Sequence, residues 1–251
     1  MKIGLIYQPC GLGDILFLQK LGYKMKEMGY EVYWPVACEL AWLNDYIPDF
    51  NFIAQDTKEK RIARPPLADE IQFPFKEYYR TENPTIITDE LYFYNGFIEE
   101  GGPAMAGKYN KIGMDWGDYR DYIKFNRNIE KENELYYNVL GLEDGEEYVL
   151  VNRTFATRHH LMFYENIPVS PEHYGCRVVE MKVLPDYTLF DWFKVFANAR
   201  DVEMIESAPN YFLESPQLYD IMKTKNLSLY LRPWGTWSSV DYLHKLPWKY
   251  N

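Results

Sequence analysis

The first 36 residues combine two hydrophobic periods. Residues 3–7 form a short apolar run that is typical of a buried strand, and residues 31–36 form another. Between the two runs, four apolar residues recur at the three- and four-residue spacing of one helix face: Leu18, Leu21, Met25 and Met28. The pattern predicts a strand, an amphipathic helix that ends at Gly29, and a second strand, which is the unit from which parallel sheets are built.

The same alternation starts again in the second half of the chain. Apolar runs predict strands and helical spacing predicts helices there: strands at 148–152, 177–182, 202–205 and 227–231, and helices at 188–199 and 211–222. An acidic stretch with two glycines, 141–147, separates the halves and is typical of a linker. We therefore predict two α/β domains, residues 1–140 and 147–251. The aromatic segment 234–250 either folds back across both halves or forms a surface tail.

Composition and charge exclude several classes of function. Hydrophobic residues make up 47% of the 251 positions, which is ample for a packed core, whereas the formal net charge of −10 argues against a nucleic-acid or anionic-membrane binder. No apolar run approaches the roughly 18 residues that span a bilayer, so we expect no integral membrane association. The three widely spaced cysteines fit a reducing compartment, and we expect the protein in the cytoplasm.

The junction between the first strand and the first helix is the most informative stretch. Gly11 and Gly13, with Leu12 between them, let the backbone turn tightly and approach a ligand. Asp14 lies at the predicted start of the helix, where the unpaired backbone N–H groups of the first helical turn point outward. A dinucleotide-binding turn needs a third glycine where this chain has Leu16, so nicotinamide and flavin binding are disfavoured. Two interpretations stay open: Asp14 caps a helix, or it projects into a cleft as a base.

A basic segment follows the first predicted strand of the second half. Residues 153–160 include Arg153, Thr154, Arg158 and His159, and loops at the carboxyl ends of parallel strands line the ligand crevice of open α/β sheets. Arginine and histidine side chains in that place are suited to neutralise a diphosphate. The alternative is a solvated polar loop.

A third candidate motif follows the strand predicted at 202–205. Glu206 is placed to accept hydrogen bonds from ligand hydroxyls, while Ser207 and the start of the next helix are placed to receive a phosphate. Ser207 as a simple helix cap is the alternative. Several familiar motifs are absent from the sequence, namely an Asp-x-Asp pair, a Gly-x-Ser-x-Gly elbow, a Walker-type phosphate loop and a zinc-spaced Cys/His cluster. We therefore predict neither a metal site nor a resident cofactor.

These motifs together resemble those of compact GT-B glycosyltransferases, in particular the ADP-heptose:lipopolysaccharide heptosyltransferases. The strand, Leu-Gly-Asp turn and helix of residues 2–28 are similar to the opening of that family, and the helix, strand and acidic turn of residues 188–207 are similar to its donor-sugar region. The chain departs from the family pattern at three positions, with Glu206 as the acidic residue, Ala208 in place of a glycine and Tyr211 in place of a histidine.

The resemblance implies a fold and an activity. The fold is two Rossmann-like domains that face each other across a cleft, with the acceptor in the first and the sugar nucleotide in the second. The activity is inverting, metal-independent transfer of a sugar from a nucleotide-sugar donor to a glycan or other hydroxyl acceptor, with Asp14 as the general base. Arg153, Thr154, Arg158, His159, Glu206 and Ser207 are then the candidate donor-binding residues. Compact proteins of this pattern also occur in viral and phage genomes, where the location would be the host cytoplasm.

Two other functions stay open at this stage. A degenerate transferase fold that binds a nucleotide or glycan without catalysis fits the short chain and the altered turn at 206–211. A nucleotide-dependent oxidoreductase fits the strand-turn-helix opening but lacks the third glycine.

Overall fold

A computed structural model describes residues 2–55, 85–96, 104–157, 160–232 and 242–251. The chain divides into two compact units, Met1–Phe125 and Asn126–Asn251. Residues 126–140, which the sequence analysis assigned to the first domain, group with the second unit. Both units are α/β bodies built around a mainly parallel sheet.

The first unit is built on a five-stranded sheet of order β3-β2-β1-β5-β4, in which only β4 is antiparallel to its neighbour. Its strands are β1 Lys2–Tyr7, β2 Tyr30–Ala37, β3 Asn51–Gln55, β4 Thr85–Ile87 and β5 Leu91–Asn95. Leu5, Tyr7, Leu91 and Phe93 form one buried cluster on the two central strands. These runs are apolar at almost every position, as expected for strands that are covered on both faces.

Helix α1 connects the first two strands, as the apolar spacing predicts. It runs over Leu12–Glu27 and buries Leu18, Leu21 and Met25, while Met28 lies just beyond its end and is exposed. Gly29 ends the helix with a φ of +85°, a conformation that glycine adopts without strain. The remaining helical segments of this unit are short: 3₁₀ Cys38–Leu40, α2 Leu43–Tyr46, α3 Ala104–Asn110 and 3₁₀ Tyr119–Tyr122.

The second unit contains an entirely parallel sheet of order β12-β11-β10-β6-β9 and a separate antiparallel hairpin, β7-β8. Its strands are β6 Tyr148–Asn152, β7 Thr154–Thr157, β8 His160–Phe163, β9 Arg177–Glu180, β10 Asp201–Ile205, β11 Asn226–Tyr230 and β12 Trp248–Tyr250. Its helical segments are α4 Ile129–Asn133, the π-helix Glu134–Val139, α5 Pro171–Tyr174, 3₁₀ Leu189–Trp192, α6 Phe193–Asn198, α7 Ala208–Leu213 and α8 Pro216–Met222.

Several elements differ from the sequence-based predictions. The segment after Asn152 forms the hairpin rather than a solvated loop, with Thr154 in its first strand. The single helix predicted at 211–222 is two helices, because Pro216 lacks the N–H that a continuous helix needs and starts a new first turn. The end of the chain is not a surface tail, since Trp248–Tyr250 pairs with β11. No helix within the described ranges is both long enough and apolar enough to cross a bilayer.

A buried carboxylate anchors the C-terminal segment to the second unit. Glu214, at the end of α7, has no exposed surface, and its carboxylate accepts hydrogen bonds from the backbone N–H groups of Lys245 and Leu246, each at 3.0 Å, and from the indole N–H of Trp248 at 3.3 Å. The backbone donors lie just before β12. One carboxylate therefore sets the path by which the chain enters the edge strand.

His244 lies buried beside this carboxylate. Its Nδ1 is 3.7 Å from Glu214 Oε1, its ring packs against the Tyr211 and Trp248 rings, and neither ring nitrogen has a hydrogen-bond partner among the described residues. Burial lowers the pKa of His244 from its ordinary value of 6.5 to about 3. The folded protein therefore holds this imidazole neutral.

The buried imidazole predicts a stability loss in mild acid. Below pH 6.5 His244 becomes protonated in the unfolded chain, whereas in the folded protein it stays neutral until the pH approaches 3. The free energy of unfolding is therefore highest above pH 6.5 and declines as the pH falls toward 3. The slope is at most about 1.4 kcal/mol per pH unit, the limit for a single proton. Urea unfolding at pH 7 and pH 5 should show this extra loss in the wild type and not in His244→Leu. An equal loss in both proteins would contradict it, and His173→Gln, at an exposed histidine, serves as the control.

Candidate functional site

The polar residues of the first unit gather where the strand order of its sheet reverses. β1 lies between β2 and β5, so the chain leaves the carboxyl ends of β1 and β5 in different directions, and the topology predicts a crevice at that edge. Open α/β sheets bind ligands at such a position. The Gly11–Asp14 turn leaves β1 here, and Asn95 and Gly96 end β5 on the other side, joined to β1 by a hydrogen bond from Gly96 N–H to Tyr7 O at 2.8 Å.

The turn itself is shaped around the Asp14 carboxylate. Gly11 has a φ of +80°, in the left-handed region, and a Cβ on this residue would lie 2.2 Å from Asp14 Oδ2. Glycine is therefore required both by the backbone and by the carboxylate packed over it. Gly11 is exposed, whereas Leu12, Gly13 and Asp14 are half-buried. The carboxylate is thus partly desolvated and still reachable from solvent.

A buried lysine holds the other carboxylate oxygen. Lys108, on α3, is 2% exposed, and its Nζ lies 3.2 Å from Asp14 Oδ1. The same ammonium donates hydrogen bonds to the side-chain oxygen of Gln8 at 3.1 Å and to the carbonyl oxygen of Gly96 at 2.6 Å. Lysine has three donors, and these three oxygens come from the end of β1, the end of β5 and the start of α1. The Lys108 ammonium therefore links the ends of β1 and β5 to the start of α1.

Gln8 and Cys10 complete this corner of the crevice. Gln8 is 3% exposed and donates from Nε2 to the carbonyl oxygen of Cys10 at 2.7 Å, which fixes the chain just before Gly11. A Cβ on Gly96 would lie 2.4 Å from Gln8 Oε1, so a glycine is also needed there. Burial, with the nearby Asp14 charge, raises the pKa of the Cys10 thiol to about 12. Cys10 is therefore a neutral wall residue rather than a nucleophile.

In the second unit, the ends of β6 and β10 are linked by side chains. Asn152 donates from Nδ2 to Ser207 Oγ at 3.1 Å, and its Oδ1 accepts from the backbone N–H and the hydroxyl of Thr154 at 3.1 and 3.0 Å. The Ser207 N–H donates to Asn210 Oδ1 at 2.5 Å. Thr154 and Ser207, both sequence candidates, therefore belong to one hydrogen-bonded group centred on Asn152. Ser207 is also the N-cap of α7 and forms a capping box with Asn210, so its interpretation as a helix cap is confirmed.

Arg153 forms an ion pair with the carboxylate of Glu180. Its Nε and Nη2 donate to Glu180 Oε1 at 2.8 and 2.6 Å, and its guanidinium stacks on the Phe163 ring with its carbon 4.2 Å from the ring centre. The two charged side chains are 15% and 24% exposed. Glu180 ends β9, the strand next to β6, so the pair lies at the carboxyl edge of the sheet. Any anion that binds Arg153 has to compete with Glu180.

Glu206 is buried at the same edge, at the end of β10. It is 5% exposed, and its Oε2 has no hydrogen-bond partner among the described residues, while Arg232 donates to its backbone carbonyl at 3.0 Å. Burial raises the pKa of the Glu206 carboxyl, and the positive charge of Arg232 opposes that shift. A buried carboxyl oxygen without a partner costs free energy until a donor reaches it. Glu206 can therefore accept a hydroxyl hydrogen bond.

The structure thus brings together Asp14 and the Gly11–Gly13 turn in one unit, and Thr154 with Ser207 in the other. Arg153 and Glu206 lie at strand ends with partners that were not predicted. Arg158 and His159 lie outside the described residues. Among the residues that the structure describes, no three His, Cys, Asp or Glu side chains gather as a metal site requires.

Sequence reasoning missed four residues that organise these sites: Gln8, Lys108, Asn152 and Glu180. Gln8 and Asn152 each stand at or just after the end of an apolar run, which is a usable signal for a side chain at the carboxyl edge of a sheet. Lys108 and Glu180 carry no such signal, because charged residues are normally exposed and their partners lie 94 and 27 positions away in the chain.

The solved structures that are similar to this chain include two transferases. One is a glycosyl transferase of family 9 from Veillonella parvula DSM 2008, with a TM-score of 0.54 and 11% identity over 100% of this chain and 86% of the other. The other is the E. coli heptosyltransferase WaaC with ADP, with a TM-score of 0.46 and 12% identity over 93% of this chain and 88% of the other. No family model and no curated protein matches the sequence. At 11% identity, the likeness to the first structure shows a shared fold.

Proposed function

We propose that this protein is an inverting, metal-independent glycosyltransferase that moves a sugar from a nucleotide-sugar donor to a hydroxyl acceptor. The observation that carries the proposal is the Asp14 carboxylate, half-buried at the carboxyl edge of the first sheet and packed over Gly11. The shared fold supports the same activity. Asp14 stands in this crevice as a base for an acceptor hydroxyl, and the reaction needs no resident cofactor.

The chemistry is one displacement. Asp14 takes the proton of the acceptor hydroxyl as its oxygen attacks the anomeric carbon; the carbon–oxygen bond to the diphosphate breaks, and the electron pair leaves with the nucleoside diphosphate. Attack from the side opposite the leaving group inverts the anomeric centre. Within the described part of the chain, Oδ2 of Asp14 accepts no hydrogen bond, whereas Oδ1 faces Lys108. Oδ2 is therefore the oxygen that receives the proton.

The second unit supplies the donor site of the proposal. Arg153, helped by Arg158 or His159, stabilises the negative charge on the leaving diphosphate. Glu206 and Ser207 orient the donor through its hydroxyl and phosphate groups, and Thr154 supports Ser207 through Asn152. The unpartnered oxygen of Glu206 favours a ligand rich in hydroxyl groups.

A thermal-shift series with nucleoside diphosphates tests the donor site. A ligand that binds only the folded state raises the melting temperature with concentration, so at least one of the adenosine, guanosine, uridine, cytidine and thymidine diphosphates should do so, with and without EDTA. A shift that requires a divalent ion would contradict metal independence. Binding without sugar transfer would identify a non-catalytic binding protein instead.

The Arg153–Glu180 pair predicts opposite effects of two substitutions. Arg153→Met removes the donors that face the diphosphate and should raise the Kd of the nucleoside diphosphate by about 10- to 100-fold, because a hydrogen bond to a charged group contributes about 1.5–3 kcal/mol. Glu180→Gln removes the competing charge and should lower the Kd by about 3- to 10-fold. Titration calorimetry measures both values.

A matched control lies at the other end of β9. Arg177 pairs with Glu146 at 3.0 Å at the amino-terminal edge of the same strand, so Arg177→Met removes an equivalent ion pair away from the candidate site and should leave the Kd unchanged. Equal losses for Arg153→Met and Arg177→Met would mean that Arg153 acts through stability alone. Weaker binding by Glu180→Gln would show that Glu180 supports the ligand rather than competing with it.

A further inference from the structure

Lys108 is an unusual residue to find at the centre of the first crevice. A buried ammonium is costly unless its donors are paired, and Lys108, with 2% of its surface exposed, is directed at three oxygens: Gln8 Oε1, Gly96 O and Asp14 Oδ1. Among these three oxygens, the one from Asp14 belongs to a charged group. The fold thus places a buried ammonium group in direct contact with the Asp14 carboxylate.

The base of Lys108 is itself fixed. The Tyr94 hydroxyl, from the central strand β5, donates to the carbonyl oxygen of Lys108 at 2.7 Å, and the next residue, Tyr109, donates to the carbonyl oxygen of Phe17 on α1 at 2.6 Å. Both tyrosine rings are completely buried. The helix that carries the ammonium is therefore locked to the sheet and to the helix that carries Asp14, and Nζ has little freedom to move away.

Resting on the function proposed above, we infer that Lys108 is a positioning residue for Asp14. By holding Oδ1, the ammonium fixes the rotation of the carboxylate and leaves Oδ2 over Gly11, on the exposed side of the turn. A carboxylate held by one oxygen presents the other in a single orientation, which is what proton abstraction from a bound hydroxyl requires. Lys108 touches no reacting atom and acts only through Asp14.

The substitution that tests this inference is Lys108→Met, which keeps most of the side-chain length and removes the charge. The kcat should fall by about 10²-fold, a typical loss for misplaced catalytic geometry, with donor and acceptor KM values within about threefold of the wild type. In an Asp14→Asn background the same change should lower the residual rate by no more than about threefold, because residues that act as a unit are not additive. Lys20→Met, which removes another buried ammonium, should leave kcat unchanged, because the Nζ of Lys20 pairs with Asp118 and not with Asp14.

The outcomes separate the inference from the proposed function. Wild-type kcat in Lys108→Met, or an equal loss in both backgrounds, would overturn the positioning role. If the wild type transfers no sugar, the proposed function fails, and urea midpoints of the two single variants and the double variant decide the inference. If the double variant lowers the urea midpoint by less than the sum of the two single-variant losses, Lys108 and Asp14 are coupled, as the inference requires. If the losses are additive, the inference is overturned. Should Lys108→Met not fold, Lys108→Gln, which keeps donors but no charge, replaces it.

Discussion

Replacing Asp14 with asparagine is expected to lower sugar transfer by about 10³-fold, within the range that a positioned general base contributes. The amide has nearly the shape of the carboxylate and cannot take the acceptor proton. Gly11 still accommodates the side chain, because no atom is added over the turn. The readout is nucleoside diphosphate release at saturating donor and acceptor, measured on protein whose melting temperature has been recorded.

Two measurements make this result specific to the chemistry. The Kd of the nucleoside diphosphate should stay within about twofold of the wild type, since the proposed donor residues belong to the other unit and Asp14 acts on the acceptor hydroxyl. Asp45→Asn, at an exposed aspartate on α2, is the matched control and should retain full activity. An Asp14→Asn protein with wild-type turnover would exclude Asp14 as the base.

Glu214→Gln is expected to destabilise the second unit by about 3 kcal/mol, because a buried carboxylate loses its charge while three donors still point at it. The glutamine amide also turns a donor toward the backbone N–H of Lys245, which then keeps only its bond to Oε1. The entry of the chain into β12 depends on these bonds. Urea unfolding followed by tryptophan fluorescence measures the loss, and Trp248, in the segment concerned, is one of the seven tryptophans that contribute to the signal.

The control for this stability prediction is Glu147→Gln. Glu147 is exposed, and its contact with Arg200 at 3.5 Å is a surface ion pair, so the substitution should change the free energy of unfolding by less than about 0.5 kcal/mol. Equal effects of the two substitutions would show that the buried carboxylate does not anchor the C-terminal segment.

The sequence predicts the sheets better than it predicts their edges. Both halves show apolar runs long enough to identify buried strands, and the Gly11–Asp14 turn follows from two glycines and an acidic residue at a helix start. β5 was not predicted: its aromatic run, 91–95, lies in a segment where glycine and aromatic residues obscure the period. The hairpin after Asn152 was also missed, because its polar and charged residues are equally typical of a loop.

In the candidate sites, the sequence likewise reveals some residues and not their partners. Asp14 and Ser207 follow strand ends, a position that the sequence reveals. Their partners depend on contacts between distant elements: Lys108 reaches Asp14 only because α3 packs beside α1, and Glu180 reaches Arg153 only because β9 pairs with β6. Such pairs follow from the topology of the sheet and not from any local pattern, so a single sequence does not reveal them.

The most direct test of the account is a transfer assay on the whole chain. A panel of nucleotide sugars is incubated with hydroxyl acceptors in EDTA, and the nucleoside diphosphate, the glycosylated acceptor and its anomeric configuration are measured for the wild type and Asp14→Asn. The proposed function predicts one nucleoside diphosphate released per sugar transferred, inversion at the anomeric carbon, and loss of both products in Asp14→Asn. Donor binding by the wild type with no product above the Asp14→Asn level would contradict it.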